Sequence, residues 1–340
     1  MKNREVRLKR YPDGLATRDI FEVVEADLPA LAQGQMLIRN VWMSVDPYMR
    51  GRMNPARQSY VPPFDLGKVL DGGSVGQVID SKDGPFAAGD YVTGMLGGWR
   101  EYNVTGGQGL SKIDTALGAP LGAYLGVLGM PGLTAWFGFQ RIGKPKPGET
   151  VFVSAAAGAV GALVCQIAKL KECRVIGAAG SARKCDWLKN SIGIDAAIDY
   201  RKAGDGLLAA LKEAAPKGVD IYFENVGGIH LEAALDAMNP NGRIIACGMI
   251  SQYNNPDPVG VRNLFNIIGK RITMQGFIVS DSFSEIPAFI AEMGAWVAAG
   301  KIKWEETVYE GLESAPEAFI GLFSGDNLGK ALVRIGPDKV

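Results

Sequence analysis

The feature that most constrains the fold is a regular alternation of strand-like and helix-like segments from Thr150 onward. The stretch "TVFVSAAAGAVGALVCQIAKLKE" reads as an apolar strand, a turn of small residues and an amphipathic helix. Further strands are predicted at 174–179, 196–200, 219–225, 242–248 and 271–277, with helical patterns such as "DGLLAALKEAA" between them. Six strands joined by helical crossovers predict an α/β fold with a doubly wound parallel sheet.

The turn after the first of these strands has the spacing of a phosphate-binding loop. Ala156, Gly158 and Gly161 occupy the three positions for small residues, with alanine in place of the first glycine. Gly158 would let the backbone approach a pyrophosphate, and Gly161 would let the helix pack close to the strand. Small residues also occur wherever a helix crosses a strand closely. Dinucleotide binding is favoured because a strand precedes the loop, a helix follows it and a second strand comes at the expected distance.

The second strand lacks the acidic residue that usually binds the adenosine ribose. In "RVIGAAGSARK" (174–184), and at every position between Glu172 and Asp186, there is no carboxylate. Ser181 is predicted to cap the next helix, with Arg183 and Lys184 in its first turn. Cations there oppose the helix dipole unless an anion binds them, and the 2′-phosphate of NADP is such an anion. The pattern favours NADP(H) over NAD(H), although both cations could be ordinary surface residues.

The later strands end in polar or small residues. Tyr200 follows the third strand, Asn225 the fourth, and Gly248, Ser251 and Tyr253 follow the fifth. Ligands of open α/β sheets gather at the carboxyl ends of strands, so these residues are candidate coenzyme contacts. Their alternative role is the capping of loops and turns.

The first 120 or so residues are predicted to be β-rich, with strands at 34–45, 72–80 and 89–96. The C-terminal strand "GKALVRIG" has no partner in the α/β part, and we predict that it completes the N-terminal domain. Residues 119–140 are uncharged and long enough to span a membrane. Pro131-Gly132 predicts a break there between two short apolar helices buried between domains.

Composition excludes several functions. The chain has 340 residues, with 36 Lys plus Arg and 36 Asp plus Glu, so we expect neither a nucleic-acid nor a membrane partner. The one histidine, His230, excludes a metal site with two histidines and is predicted to be an ordinary residue at a helix start. The four cysteines form no CxxC pair. The N-terminal "MKNREVRLKRYPDG" lacks the apolar segment of a signal peptide, so we expect a cytoplasmic location.

Several longer motifs now point to a family. "VDPYMRG", "GMPGLTAWFG", "YFENVGG", "ACGMISQYN" and "GDNLGKALV" resemble the prostaglandin reductase / leukotriene dehydrogenase group of the zinc-independent medium-chain dehydrogenases/reductases. The resemblance covers nearly the whole chain. It implies a GroES-like β-rich domain (1–122 with 308–340) and a Rossmann domain that binds NADP (123–307). It further implies a homodimer. The implied reaction is the NADPH-dependent reduction of the C=C bond of α,β-unsaturated ketones and aldehydes. It also implies no metal, because the catalytic cysteine near residue 46, the GHE motif and the four-cysteine lobe of the zinc-dependent relatives are missing.

The resemblance also implies site residues. Tyr253 would be catalytic, with Tyr48 facing it across the cleft. The implied coenzyme contacts, together with the loop residues above, are Met130, Thr134, Ala156, Gly158, Ala159, Val160, Gly161, Ser181, Lys184, Tyr200, Asn225, Cys247, Gly248, Ser251, Tyr253, Phe277, Val279 and Asn327.

Conjugate reduction needs a hydride donor, a group that stabilises the enolate and a proton for the α-carbon. We hypothesise that the Tyr253 hydroxyl, with a ribose hydroxyl of NADPH, hydrogen-bonds the carbonyl oxygen, and that Tyr48 assists or delivers the proton. Each tyrosine could instead only pack against the ligands. The alternatives are a zinc-independent quinone reductase and an NADPH-binding protein without turnover. An alcohol dehydrogenase is disfavoured because it normally needs zinc. The physiological enone stays open, since it depends on the loops 54–64 and 254–263.

Overall fold

The computed structural model describes residues 2–56, 59–255, 257 and 260–338. The predicted substrate loops 54–64 and 254–263 therefore lie in part outside the described residues. By contacts the chain forms two units: Met1–Gly126 with Glu306–Val340, and Val127–Glu305.

The strands of the described residues are β1 (Lys2–Leu8), β2 (Phe21–Asp27), β3 (Gln35–Ser44), β4 (Ser74–Lys82), β5 (Tyr91–Gly94), β6 (Tyr102–Thr105), β7 (Leu110–Lys112), β8 (Thr150–Val153), β9 (Arg174–Ala179), β10 (Ala196–Asp199), β11 (Val219–Glu224), β12 (Met238–Ala246), β13 (Thr273–Gly276), β14 (Glu306–Glu310) and β15 (Lys330–Arg334). The α-helices are α1 (Met49–Arg52), α2 (Met130–Phe137), α3 (Gly161–Leu170), α4 (Ala182–Trp187), α5 (Tyr200–Ala203), α6 (Leu207–Ala214), α7 (Ile229–Ala237), α8 (Phe265–Lys270), α9 (Ile286–Ala298) and α10 (Ala315–Ser324).

The first unit is built on a mostly antiparallel sheet with the strand order β14-β15-β3-β4-β5-β7 and with β6 also paired to β3. The C-terminal strand β15 pairs antiparallel with β3, Leu332 opposite Ser44. Phe319 of α10 packs edge-on against Trp99, with ring centroids 6.1 Å apart. The tail thus supplies both a strand and a core side chain, which confirms that it completes the N-terminal part.

The second unit contains the predicted parallel sheet. Within the described residues its six strands have the order β10-β9-β8-β11-β12-β13, and every neighbouring pair is parallel. Both faces are covered, so the strands are almost continuously apolar, as in "TVFV" and "VDIYFE". The stacked rings of Phe152 and Tyr222, 5.0 Å apart, join the two central strands. The predicted doubly wound fold is confirmed.

The prediction of two short apolar helices separated by a turn is confirmed, because a 3-10 helix covers Leu121–Leu125 and α2 covers Met130–Phe137. The turn, however, lies before Pro131 and not at Pro131-Gly132. Pro131 lies in the first turn of α2, which begins after Gly129. Proline is tolerated at that position because its missing N–H would have no partner within the helix. A Cβ on Gly132 would overlap the carbonyl of Val127, so glycine allows the chain to turn closely into the helix. Among the described residues, no helix has the length and apolar character that membrane crossing requires.

The fifth strand of the parallel sheet also differs from its prediction. It was expected at 242–248, but β12 begins at Met238 and ends at Ala246. Met238 pairs with Val219, and a register shift follows before Arg243 pairs with Ile221. An irregular strand of this kind has no clear alternation of side chains for the sequence pattern to reveal.

Candidate active site

The candidate site of the second unit lies at the carboxyl ends of its parallel strands. Strand pairings align the carboxyl ends, with Val153 beside Phe223, Glu224 beside Ala246, and Ala179 beside Asp199. The loops that follow these residues therefore share one edge. Most of the predicted coenzyme residues lie in these loops.

The phosphate loop runs from β8 into α3. A Cβ on Gly161 would overlap the carbonyl oxygen of Ala155, and a Cβ on Gly158 would lie 3.3 Å from it. Ala155 itself has φ 46, which turns the chain sharply. Ala162 donates to the carbonyl of Gly158 at 3.0 Å, so the helix begins directly after this turn. The backbone forms a tight cradle whose N–H groups point out of the helix start, a geometry that suits a pyrophosphate.

The next loop carries the predicted determinants of NADP(H). Ser181 caps α4, its hydroxyl accepting from the N–H of Lys184 at 3.4 Å. A Cβ on Gly180 would lie 2.9 Å from Tyr200 Oη and 3.2 Å from Arg201 Nε. Tyr200 and Arg201 therefore lie against the end of the second strand. Arg201 was missed by the sequence analysis, although it directly follows Tyr200.

The third strand does end in a carboxylate, but that carboxylate accepts hydrogen bonds from the backbone. Asp199 caps α5 and accepts from the N–H groups of Arg201 and Lys202, each at 3.2 Å. It is a capping residue, with a role in the backbone turn.

The loops after β11 and β12 are bound to each other. Cys247 and Gly248 both donate their N–H groups to the carbonyl of Glu224 at 3.0 Å. Ser251 donates its backbone N–H to the carbonyl of Val226 at 3.0 Å, and Asn225 Nδ2 donates to the carbonyl of Ser154 at 2.8 Å. The ends of three neighbouring strands of the sheet, β8, β11 and β12, are thereby held together. Burial raises the pKa of the Cys247 thiol to about 12, so the thiol is kept protonated.

Tyr253 returns over the end of the fifth strand. Its hydroxyl oxygen accepts the N–H of Met249 at 3.3 Å, and a Cβ on Gly248 would lie 3.1 Å from it. The position suits a hydroxyl that donates to a ligand lying on the strand end.

Helix α2 presents a half-exposed face on which Met130 and Thr134 lie one turn apart. Thr134 Oγ1 donates to the carbonyl of Met130 at 2.8 Å. Phe277, after β13, packs on Phe137 of the same helix with ring centroids 5.9 Å apart. Val279 begins a short 3-10 segment directly after it. These four predicted contacts (Met130, Thr134, Phe277, Val279) belong to adjoining elements of the second unit.

Two predicted residues belong to the first unit. Tyr48 precedes α1 and is half-buried against the core cluster that contains Trp99. Burial, and after it the negative charge of Asp46, raises the pKa of Tyr48, which favours the protonated hydroxyl. Asn327 donates through Nδ2 to the carbonyl of Gly329 at 2.7 Å. The predicted pairing of Tyr48 with Tyr253 stays a prediction.

His230 is the second residue of α7, as predicted for a residue at a helix start. Its ring meets Tyr200 edge-on with the centroids 4.8 Å apart. Burial lowers its pKa to about 4. Within the described residues, no group of three or more His, Cys, Asp or Glu side chains could hold a metal ion.

Two family models match the chain: "N-terminal domain of oxidoreductase" over residues 4–113 and "Zinc-binding dehydrogenase" over residues 159–295. A 2-alkenal reductase (NADP⁺-dependent) of Nicotiana tabacum is 46% identical over 340 residues, which cover 98% of each chain. Prostaglandin reductase 1 of Bos taurus is 42% identical over 334 residues, covering 96% of this chain and 97% of the relative.

The chain belongs to the prostaglandin reductase group of the medium-chain dehydrogenases/reductases.

A solved structure agrees with this membership of the reductase group. CurA from Vibrio vulnificus, in complex with NADPH, superposes with a TM-score of 0.93 and is 43% identical, over 98% of this chain and 99% of CurA. The predicted family and its two-part fold, a sheet-rich N-terminal region with a parallel Rossmann sheet, are confirmed.

Proposed function

We propose that this protein uses NADPH to reduce the C=C bond of α,β-unsaturated ketones and aldehydes. The reaction class is supported by full-length relatives named for C=C reduction, such as the alkenal reductase at 46% identity. The observation in this chain that carries the proposal is the Tyr253 hydroxyl above Gly248, at the sheet edge where the phosphate loop also lies. A hydrogen-bond donor there can stabilise the negative charge that forms on a substrate carbonyl next to the coenzyme.

The residues of the second unit fit NADPH. The backbone of Gly158, Ala159 and Val160, ahead of α3, would hold the pyrophosphate. Ser181, Lys184, Tyr200 and Arg201 would hold the 2′-phosphate, because their side chains offer hydroxyl donors and positive charge in one place. Bound NADPH supplies the hydride that is added to the β-carbon of the substrate.

The chain's own contribution to the reaction is to stabilise charge and to place a proton. Tyr253 would donate a hydrogen bond from its hydroxyl to the carbonyl oxygen, which becomes negative as the C=C bond is reduced. The backbone N–H of Met249 holds the tyrosine oxygen in position. Tyr48, kept protonated by burial, would assist in bringing the proton to the α-carbon.

The test is NADPH oxidation with a 2-alkenal, a cyclic enone and a quinone, with mass analysis of the products. We expect saturated carbonyl products from the first two, and deuterium from [4-²H]NADPH at the β-carbon. Preferential oxidation with quinones would identify a quinone reductase, and no turnover with any acceptor would identify a binding protein without activity.

Tyr253→Phe tests the hydrogen-bond donor. Loss of one such hydrogen bond should lower kcat by ten-fold or more, since a donor of this kind contributes about 3 kcal/mol. The Kd for NADPH should not change. Tyr309→Phe, in β14 of the first unit, serves as the matched control. An unaltered kcat for Tyr253→Phe removes the residue from the mechanism.

The cationic cluster is tested by coenzyme preference. Lys184→Ala and Arg201→Ala should each lower kcat/KM for NADPH roughly ten-fold, the value of a charged hydrogen bond, and leave that for NADH nearly constant. Lys202→Ala, the exposed neighbour, is the control. Equal losses with NADH and NADPH would show that the cluster does not recognise the 2′-phosphate.

We further propose a homodimer joined along β13. This strand lies at the end of the parallel sheet, and Phe265 and Ile268 of the adjacent α8 are 76% and 72% exposed. An open edge beside exposed apolar side chains favours pairing with a second copy. Light scattering should give twice the chain mass of 36.2 kDa. Phe265→Asp with Ile268→Asp should give the monomer, whereas Leu15→Asp in the first unit should not.

A cytoplasmic location is also proposed. It is supported by the four cysteines, all of which are unpaired, as is usual in a reducing compartment. Fractionation of the source cells with an antibody against the protein would test it, and recovery from an extracellular fraction would contradict it.

A further inference from the structure

The carboxylate of Glu224 lies at the end of β11, wholly buried and outside the set of residues assigned above. Its Oε1 accepts from Val226 N at 2.7 Å, Gly227 N at 2.8 Å, Tyr222 Oη at 2.8 Å and Ser154 Oγ at 3.2 Å. Four donors thus converge on one oxygen. Among the described residues its second oxygen, Oε2, has no hydrogen-bond partner.

The hydrogen bonds of this carboxylate connect two loops of the coenzyme site. Ser154, which donates to Glu224, is the residue before the phosphate loop, and its Oγ also accepts the N–H of Asn225 at 2.9 Å. On the other side, Gly227 and Gly228 adopt the left-handed backbone region, with φ 78 and 55. A loop with two such residues has little conformational preference of its own and needs external hydrogen bonds to fix it.

We propose that Glu224 is a positioning residue for the coenzyme, whose Oε1 fixes the loop Asn225–Gly228 against Ser154 at the start of the phosphate loop. This inference rests on the proposed binding of NADPH. It does not require Glu224 to touch the ligand. Small displacements of supporting groups can cost large factors in binding and catalysis.

Burial and hydrogen bonding act in opposite directions on the pKa of Glu224. Burial, as the largest effect, raises the pKa of Glu224, against the opposing effect of the hydrogen bonds that it accepts. The titratable groups that face it are Tyr222 and Cys247, and burial raises the pKa of both. A glutamine retains the accepting oxygen without the charge, so it should preserve the hydrogen bonds to the two loops.

Asp220 provides a matched control near the amino end of the same strand, β11. Its Oδ2 accepts the N–H of Thr150 at 2.8 Å, and its Oδ1 accepts from Asn239 Nδ2 at 2.7 Å. It therefore also links β11 to β8, but away from the carboxyl ends of the strands. Its loss should lower stability without altering the coenzyme site.

The experiment measures the Kd for NADPH by fluorescence titration, together with the melting temperature, for the wild type, Glu224→Ala, Glu224→Gln and Asp220→Ala. We expect Glu224→Ala to raise the Kd ten-fold or more, Glu224→Gln to stay within three-fold, and Asp220→Ala to melt earlier with unaltered Kd. Hydrogen exchange should accelerate in residues 154–158 and 225–228 of Glu224→Ala only.

The proposal is overturned if Glu224→Ala binds NADPH as the wild type does, if Asp220→Ala weakens binding equally, or if Glu224→Gln binds as poorly as Glu224→Ala. Should Glu224→Ala not fold, Ser154→Ala removes the link to Asn225 and must raise the Kd at least three-fold. Failure of the wild type itself to bind NADPH would instead refute the proposed function.

Discussion

The only histidine of the chain makes one prediction unusually direct. His230 is 2% exposed, and within the described residues neither ring nitrogen has a hydrogen-bond partner. Burial therefore lowers its pKa from 6.5 to about 4. The folded protein keeps the imidazole neutral at pH values where the unfolded chain has already protonated it.

The sign and size of the effect follow from this difference. The stability that a neutral His230 supports is fully present above pH 6.5 and is lost as the pH falls toward the folded pKa of about 4. At 1.36 kcal/mol per unit of pKa, the full loss is roughly 3 kcal/mol. Between pH 7 and pH 5 the second unit should lose about 2 kcal/mol. Its melting temperature should fall by a few degrees for each kcal/mol.

The imidazole C–H signal in the NMR spectrum of ¹³C-histidine-labelled protein reports its pKa without any mutation, because the chain has a single histidine. We expect no titration of the folded protein between pH 7 and pH 5. His230→Leu should lose about 2 kcal/mol less stability than the wild type over that range. A folded-state midpoint near 6.5 would refute the argument from burial.

Three further predictions concern packing and reactivity. Gly161→Ala should destabilise the second unit by about 1–3 kcal/mol and weaken NADPH binding, because its Cβ would overlap Ala155. Gly294→Ala is the control, since a Cβ there meets nothing within 4 Å, and it should have neither effect. Thermal unfolding compares the stability of the two variants. Lys330→Met should lower the free energy of unfolding by about 3–5 kcal/mol, because it leaves the carboxylate of Asp46, 3.3 Å from Lys330 Nζ, as an unpaired buried charge. A melting experiment measures this loss. Asp46→Asn in the same chain should recover part of that loss. Cys247, whose pKa burial raises to about 12, should not react with iodoacetamide at pH 8 in native protein, and labelling measured by mass spectrometry would contradict this.

Much of the second unit could be predicted from local patterns. The strands at 174–179 and 196–199 and the helix after the phosphate loop lie where the hydrophobic periodicity placed them. A buried parallel strand and an amphipathic helix each leave a distinct periodicity in the sequence. The pattern failed at Pro131, because proline reads as a break in sequence but can also occupy the first turn of a helix.

The residues that the sequence analysis missed are those whose role depends on distant neighbours. Glu224 could have been noticed as a carboxylate at the end of an apolar strand, but its partner Ser154 is 70 positions away in the chain. Arg201 adjoins a predicted residue, yet its place beside Gly180 depends on the pairing of β9 with β10.

The sequence by itself determined the order of strands and helices, the loop of small residues and the absence of a carboxylate between Glu172 and Asp186, because these depend on residue type and spacing along the chain. Which strand ends meet, which carboxylate caps a helix and which is buried, and how far His230 is shielded from water follow from the folded arrangement of the strands. Hydrogen bonding and burial depend on distances in space, and the pairing of strands sets those distances.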